Sequence, residues 1–438
     1  MYQPSVFKLI NSNIESLSDK NTLIQCTNIN LPLISLGSHY YLNRTKSAMS
    51  ITKTLQISNE FYYVINPFEN KILNYEESLD ILAEKYLNIN NQNIKINSSS
   101  FYKLWEIFFL FDLINDKELT CAVISNNTEG IIQSIINFKQ KLGLINPRDK
   151  IFNLQITQDD KIIENNKNLL GIYNKQYPKL IKSYKHPNYT NISDIKTILM
   201  YKKEFNKLKT LANLIIGNGK IKSKDIIYQE QESYILILGE IIAALKTQNK
   251  DGNFILRISD TFTMPSIKLI YIIISFYKDS YIYKPFLSRP TDSEKFLICK
   301  HFLYDNDDAV LNKQIFSLET ILTNANSNKY IYDIYPDLII PKEFLNQFKF
   351  INIKFANPQQ VMINEIIKYI KENNYFGDKY HLYKNRQIIA TKWWLNTFFP
   401  PSNNLYENNK NDLQKLLKLI VEKHEAEMIN FTTQLIIQ

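Results

Sequence analysis

Residues 252–299 read GNFILRISDTFTMPSIKLIYIIISFYKDSYIYKPFLSRPTDSEKFLIC. A Gly-led apolar run at 254–258 predicts a buried strand, and one cation, Arg257, stands near its end. The apolar run at 267–276 predicts a helix, and 281–283 and 296–299 predict two more strands. Between these last two lies KPFLSRPTDSEK, a polar loop rich in charge inside an otherwise apolar stretch. One strand carrying a lone cation and one charged loop mark a place where polar side chains are set on a rigid sheet.

Working towards the N-terminus, short runs of Ile, Val and Leu keep alternating with helical patterns. Strands are expected at 121–125, 149–156 and 211–217, with helices at 131–138, 194–208 and 228–247. Short apolar strands between helices predict an α/β domain whose mostly parallel sheet is covered on both faces. Ligands of such sheets bind beyond the carboxyl ends of the strands. Residues 90–100, NNQNIKINSSS, read as a linker ending in a helix N-cap at Ser99 or Ser100, followed by Leu104, Phe108 and Phe111 at helical spacing. The expected organisation is an α+β region over 1–96, with a helix near 75–86, then the α/β domain over 97–305. A helical extension over 306–438 follows, with helices at 358–373, 386–397 and 410–434. Leu413, Leu416, Leu417, Ile420 and Val421 form one apolar stripe on the last of these. Trp393 and Trp394 lie among cations at 383–399; aromatics at helical spacing point to packing on the sheet domain, an RNA-facing surface being the alternative.

Hydrophobic residues make up 45% and charged residues 22% of the 438, as in ordinary globular proteins. The net charge of +9 favours a polyanionic partner, although a genome biased towards Lys, Asn and Ile produces the same excess. Three widely separated cysteines, with no CxxC pair or Cys/His cluster, predict free thiols in a reducing compartment and no metal site. Neither a leader at Met1 nor an unbroken apolar run of about 18 residues is present, so neither secretion nor membrane spanning is expected.

The phrases GNFILR and SRPTDSEKF resemble the last third of the FtsJ-like 2′-O-ribose RNA methyltransferases, the family that includes viral mRNA cap methyltransferases. The resemblance covers about 97–302 and implies a Rossmann-like methyltransferase domain. In that family a Lys-Asp-Lys-Glu set surrounds the ribose hydroxyl. Its first lysine, in a phrase like SRAAFKLxEI, matches Lys103 of SSSFYKLWEI; its aspartate, in DLVxxDGG, matches Asn218 of NLIIGNG. Asn213 replaces an earlier acid of the same phrase. Its second lysine, in GGxFVLK, matches Arg257, and its glutamate, in SRPxxSEKY, matches Glu294. The last three positions are separated by 39 and 37 residues, which suits the family. The segment around Lys392–Trp394 is also similar to the C-terminal extension of large-virus cap methyltransferases.

What the resemblance implies is therefore divided. A lysine placed between carboxylates can be tuned to take a proton, whereas a guanidinium stays protonated above about pH 12. Arg257 and Asn218 thus weaken the same step. The family's glycine-rich donor turn, PGGF, corresponds to SNNTEGII, where Thr128 and Glu129 replace Pro and Gly and only Gly130 remains. S-adenosyl-L-methionine, the cofactor implied by the resemblance, is expected to be lost. The expectation is a catalytically degenerate relative that binds capped RNA or a capping or transcription complex, in a host cytoplasm or a virion. An active cap 2′-O-methyltransferase and a virion structural protein are the alternatives. Lys284, Arg289 and Lys295 are expected to line an RNA groove, since phosphate contacts need only charge. Glu294 is expected to pair with Arg289, ordering the SRPTDSEK loop, or with Arg257.

Overall fold

In the computed structural model, the residues described are 2–14, 17, 22–29, 31–54, 61–69, 78–86, 95–115, 118–156, 170–184, 191–223, 225–326, 328–372, 377–400 and 402–437. Eight strands form the main sheet: β1 (Ser5–Lys8), β3 (Thr120–Ser125), β4 (Lys150–Gln155), β5 (Ile181–Ser183), β6 (Ala212–Asn218), β7 (Gln248–Ile258), β8 (Tyr277–Lys284) and β9 (Lys295–Phe302). Their order is β1-β8-β9-β7-β6-β3-β4-β5. The run from β7 to β5 is parallel, while β9, β8 and β1 are joined by antiparallel pairing. This is the mostly parallel α/β sheet expected from the alternation of apolar runs.

Side chains alternate between the two faces of a strand, and here the alternation sorts the core into two layers. Ala122, Ile124, Phe152, Leu154, Ile215 and Leu256 face one layer. It is covered by α5 (Ile195–Lys207), α6 (Gln229–Thr247), α7 (Met264–Ile274), α8 (Ala309–Asn324) and the start of α9 (Lys342–Glu372). Cys121, Val123, Ile151, Leu214, Ile216 and Ile298 face the other. There α3 (Ser100–Phe111), α4 (Glu129–Lys141), α10 (Asp378–Phe398) and α11 (Asn403–Ile437) close the core. Trp394 is fully buried in this second layer, so the aromatics of α10 pack rather than face RNA.

The flanking regions are woven into the sheet more closely than their sequences suggest. Strand β1 is the edge of the main sheet, and β2 (Leu23–Cys26) pairs with β10 (Tyr330–Ile334) across some 300 residues of chain. The extension after 305 is mostly helical, as expected, but adds α8 and one short strand, β10. Pairing of β2 with β10 is wholly non-local, so neither short run announces it. Helix α9 begins at Lys342 and passes through Pro358, which the sequence marks as a helix start; buried Phe344, Phe348 and Ile351 hold the preceding turns against the core. In the N-terminal region the structure adds α1 (Leu36–Ala48), and α2 (Leu79–Tyr86) is the expected helix; its first part, 75–77, lies outside the described residues, as do 90–94 of the linker. Ser99 occupies the N-cap position of α3 without making a side-chain cap bond. No helix among the described residues is long and apolar enough to cross a membrane.

Candidate functional site

Parallel strands β3, β6 and β7 end side by side, with Ser125 opposite Asn218 and Arg257 beyond Gly217 on the neighbouring strand. The first turn of α3 brings Lys103 over these ends, and the loop entering β9 brings Glu294. Three of the four positions picked from sequence meet here. Arg257 Nε donates to Glu294 Oε1 at 2.8 Å, Lys103 Nζ donates to Glu294 Oε2, and Ser288 Oγ donates to the same Oε2 at 3.1 Å. All three charged side chains are mostly buried, at 11–13% exposure. Burial alone would raise the Glu294 pKa, but the Lys103 and Arg257 charges outweigh it and hold the carboxyl well below its ordinary range.

Arg257 is held at its other end as well, Nη1 donating to Gly219 O at 3.1 Å. Asn218 stands apart from the ion cluster, its Nδ2 donating to Ser125 Oγ at 3.3 Å. It joins β6 to β3 rather than presenting charge. Asn213 lies at the opposite end of β6, where it accepts from Thr120 N and donates to Glu118 O. Its part is to tie strand beginnings together.

A carboxyl not found from sequence lies beneath the strand ends. Glu240, in the middle of α6, is fully buried, and its Oε1 accepts from Gly219 N at 2.7 Å. Oε2 has no partner among the described residues. Burial raises this carboxyl to about 8, against the opposing effects of the Gly219 hydrogen bond and the Arg257 charge. The glycines on either side of Asn218 make the room. A Cβ on Gly219 would come within 2.9 Å of Glu240 Oε1 and of Leu236, and one on Gly217 within 3.3 Å of the same carboxyl. The signal available in sequence was the GNG triplet in a chain holding only 9 glycines.

The donor-turn positions behave differently from a glycine cradle. Thr128 occupies the N-cap position of α4 without making a side-chain cap bond, and Glu129 and Gly130 are the helix's first residues. A Cβ on Gly130 would run into Ser98 Oγ, so the missing side chain serves the packing of α4 on the segment leading into α3. Glu129 is buried, which raises its pKa, and Asn127 Nδ2 lies 3.4 Å from its Oε1. The segment thus holds one glycine at the start of α4 and forms no glycine-rich turn. Thr128 Oγ1, Asn127 Oδ1 and, at the end of β4, Gln155 Nε2 are nonetheless buried without partners among the described residues. No cluster of three or more His, Cys, Asp or Glu that could hold a metal occurs among those residues.

The residues expected to line an RNA groove are engaged in contacts within the protein. Lys295 is buried at 3% exposure, its ammonium donating to Ser259 O and Ser293 O, and burial lowers its pKa to about 8. Lys284 donates to Asp292 O and Glu294 O and is likewise lowered to about 8 by burial. Lys284 ends β8 and Lys295 begins β9, so the two ammonium groups brace the loop between these strands. Arg289 does not pair with Glu294. It lies 3.8 Å over the Tyr63 ring, donates to Tyr63 Oη at 2.8 Å and pairs with Glu69 at 3.4 Å, because the 61–69 segment covers the loop.

Two further contacts fix the same loop: Lys46 Nζ of α1 donates to Ser293 Oγ at 2.7 Å and to Asp260 at 2.8 Å, and Gln359 Nε2 of α9 donates to Thr291 O at 2.6 Å. Glu106, one turn after Lys103, accepts from Tyr283 Oη, Trp394 Nε1 and Phe286 N, each at 2.8 Å. Burial raises Glu106 to about 7 despite these bonds. Residues from both flanking regions thus grip the segment that delivers Glu294.

Residues 97–302 match the model of the FtsJ-like methyltransferase family. An uncharacterized protein of Acanthamoeba polyphaga mimivirus is 23% identical over 90% of this chain and 82% of its own length. A cap-specific mRNA (nucleoside-2′-O-)-methyltransferase 1 of Dictyostelium discoideum is 38% identical over 20% of this chain, a stretch that spans 11% of that protein. An inactive cap-specific mRNA (nucleoside-2′-O-)-methyltransferase 1B of Caenorhabditis briggsae is 28% identical over 34% of this chain and 18% of its own length.

Proposed function

We propose that this chain is a non-catalytic relative of the cap 2′-O-methyltransferases, acting as an RNA-binding or capping-complex subunit. The observation that carries the reading is the Lys103–Glu294–Arg257 cluster. Its central cation is a guanidinium fixed at both ends, by Glu294 and by Gly219 O. A guanidinium at neutral pH cannot accept the proton of a ribose hydroxyl. Asn218 supplies no negative charge to hold a cationic donor, and at the turn Thr128–Gly130 the one glycine packs against Ser98. The similarity to an inactive nematode protein supports the same reading.

Lys103 favours a second reading, that of an active enzyme with divergent motifs. It keeps its place beside Glu294 at the carboxyl ends of the strands, and unpartnered polar atoms remain at Asn127, Thr128 and Gln155. Calorimetry with S-adenosylmethionine, followed by a methyl-transfer assay on capped RNA, tests the two. Absence of both stoichiometric binding and transfer is expected. Tight binding with transfer would overturn the proposal. RNA binding is checked by titration across salt concentrations, where phosphate contacts give a steep loss of affinity.

A further inference from the structure

The surface of α1 has no role in the cluster described above, and its composition is unusual. The helix reads LGSHYYLNRTKSA, with no acidic residue. Its inner face is anchored by Leu42, packed on Phe262 and Ala356, and by Lys46. The outer face leaves Leu36, Tyr40 and Tyr41 at 68%, 57% and 60% exposure, with Arg44 exposed beside them. The Tyr40 and Tyr41 rings meet edge to face, 5.4 Å apart, and both stay mostly exposed beside Leu36.

The position of α1 is fixed at both ends against the segment that follows the strand carrying Arg257. At its start, Ile34 N donates to Phe262 O at 2.8 Å and Met264 N donates to Pro32 O at 2.9 Å. At its end, Lys46 reaches Asp260 and Ser293, the residue before Glu294. The helix therefore runs alongside the exit of β7. The segment after Asn218 carries exposed Lys220 and Lys222 and leads into a 3-10 turn, Ile226–Tyr228, that packs on α1. Asp225, exposed on the same segment, is the acidic residue there.

We propose that the outer face of α1, with Lys220 and Lys222, is a docking platform for single-stranded RNA, whose bases stack on Tyr40 and Tyr41 and whose phosphates meet Arg44 and the two lysines. Stacking platforms joined to cations hold single strands without needing base-specific bonds. Charge complementarity argues for this occupant: α1 exposes Arg44 and holds no acid, and the segment leading into the turn packed on α1 exposes Lys220 and Lys222, which suits a polyanion with π-faces better than a second protein. The inference rests on the RNA-binding reading given above and assigns that binding to a surface.

Anisotropy titration of the full chain with a labelled single-stranded oligoribonucleotide of about 12 nucleotides, at several salt concentrations, tests it. Tyr40→Ala with Tyr41→Ala is expected to weaken binding about tenfold or more while the melting temperature stays unchanged, and Tyr→Phe at both sites to restore it. Arg44→Ala is expected to reduce the salt slope by about one contact. Wild-type affinity in the double alanine variant overturns the platform while leaving RNA binding intact elsewhere on the chain. No RNA binding by the unaltered chain at any salt overturns both readings.

Discussion

Arg257 Nε and Glu294 Oε1 lie 2.8 Å apart at the carboxyl ends of the parallel strands, and the second Glu294 oxygen takes Lys103. One carboxylate thus answers two cations in a setting only 11–13% exposed. In a site with a second ionised acid the charges would balance. Here the neighbouring strand ends in Asn218, and the nearby Glu240 carboxyl is raised to about 8, so at neutral pH it is mostly protonated.

Replacing Arg257 by Lys and Asn218 by Asp restores the charges of the family set without altering the turn at Thr128–Gly130. Methyl transfer to capped RNA is expected to stay absent in that double variant, measured by incorporation of labelled methyl. Appearance of transfer would show that the turn, as it stands, accommodates the donor.

Glu294→Gln leaves two buried cations without their counter-charge. Breaking a buried pair costs on the order of 3–5 kcal/mol, and a loss of that order is expected by chemical denaturation at pH 7. The folded pKa of Glu294 is depressed, so its contribution is present above the unfolded carboxylate value and fades as pH falls towards the folded one. The difference between the two proteins should therefore shrink in acid. An equal difference at pH 7 and pH 3 would show that the loss comes from packing instead.

Glu106 shifts in the opposite direction. Its folded value of about 7 lies above the unfolded one, so the folded chain holds a proton between roughly pH 4.5 and 7 that the unfolded chain has released. Stability from this group falls as pH rises through that window, by roughly 3 kcal/mol. Glu106→Gln removes the ionisable group, so the slope between about pH 4.5 and 7 should be absent from its denaturation curves, while its amide NH2 meets the Trp394 or Phe286 N–H donor and lowers stability at every pH.

Gly219→Ala places a methyl 2.9 Å from Glu240 Oε1 and from Leu236. Destabilisation of about 1–3 kcal/mol is expected, as for overpacking elsewhere, with a smaller effect for Gly217→Ala, whose nearest neighbours are 3.2–3.3 Å away. Shortening the carboxyl arm with Glu240→Asp should recover part of the Gly219→Ala loss. A thermal melt of the four proteins checks this; an unchanged melting temperature in Gly219→Ala would remove Glu240 from beneath the strand end.

The sheet was readable because buried parallel strands are short apolar runs flanked by helices, and those at 121–125 and 254–258 need no further context. Arg257 and Glu294 were readable because they stand in specific phrases, whereas Lys103 stands in a weaker one and gains meaning only from the context it shares with them. Glu240 was not: a glutamate in a helix normally faces water, and only the glycines across from it reveal that the space below β6 is occupied. Lys284 and Lys295 misled for a related reason. A lysine near a loop reads as solvated, yet Lys295 is drawn into the interior and Lys284, half-buried, turns its ammonium to the loop's own carbonyls. Pairing of β2 with β10, and of β1 with β8, joins segments too distant for any local pattern to register.

The two extremities of the polypeptide meet on the edge strand: the His424 imidazole of α11 stacks on Phe7 at 4.3 Å, and its Nδ1 bonds to Val6 O. An excised fragment limited to residues 97–305 would strip β8 of its neighbour and bare a row of unsatisfied amides to any passing chain. Such a fragment is expected to aggregate on expression. Constructing a minimal enzyme-like core from this protein would require carrying both tails along, or redesigning the exposed border with charge.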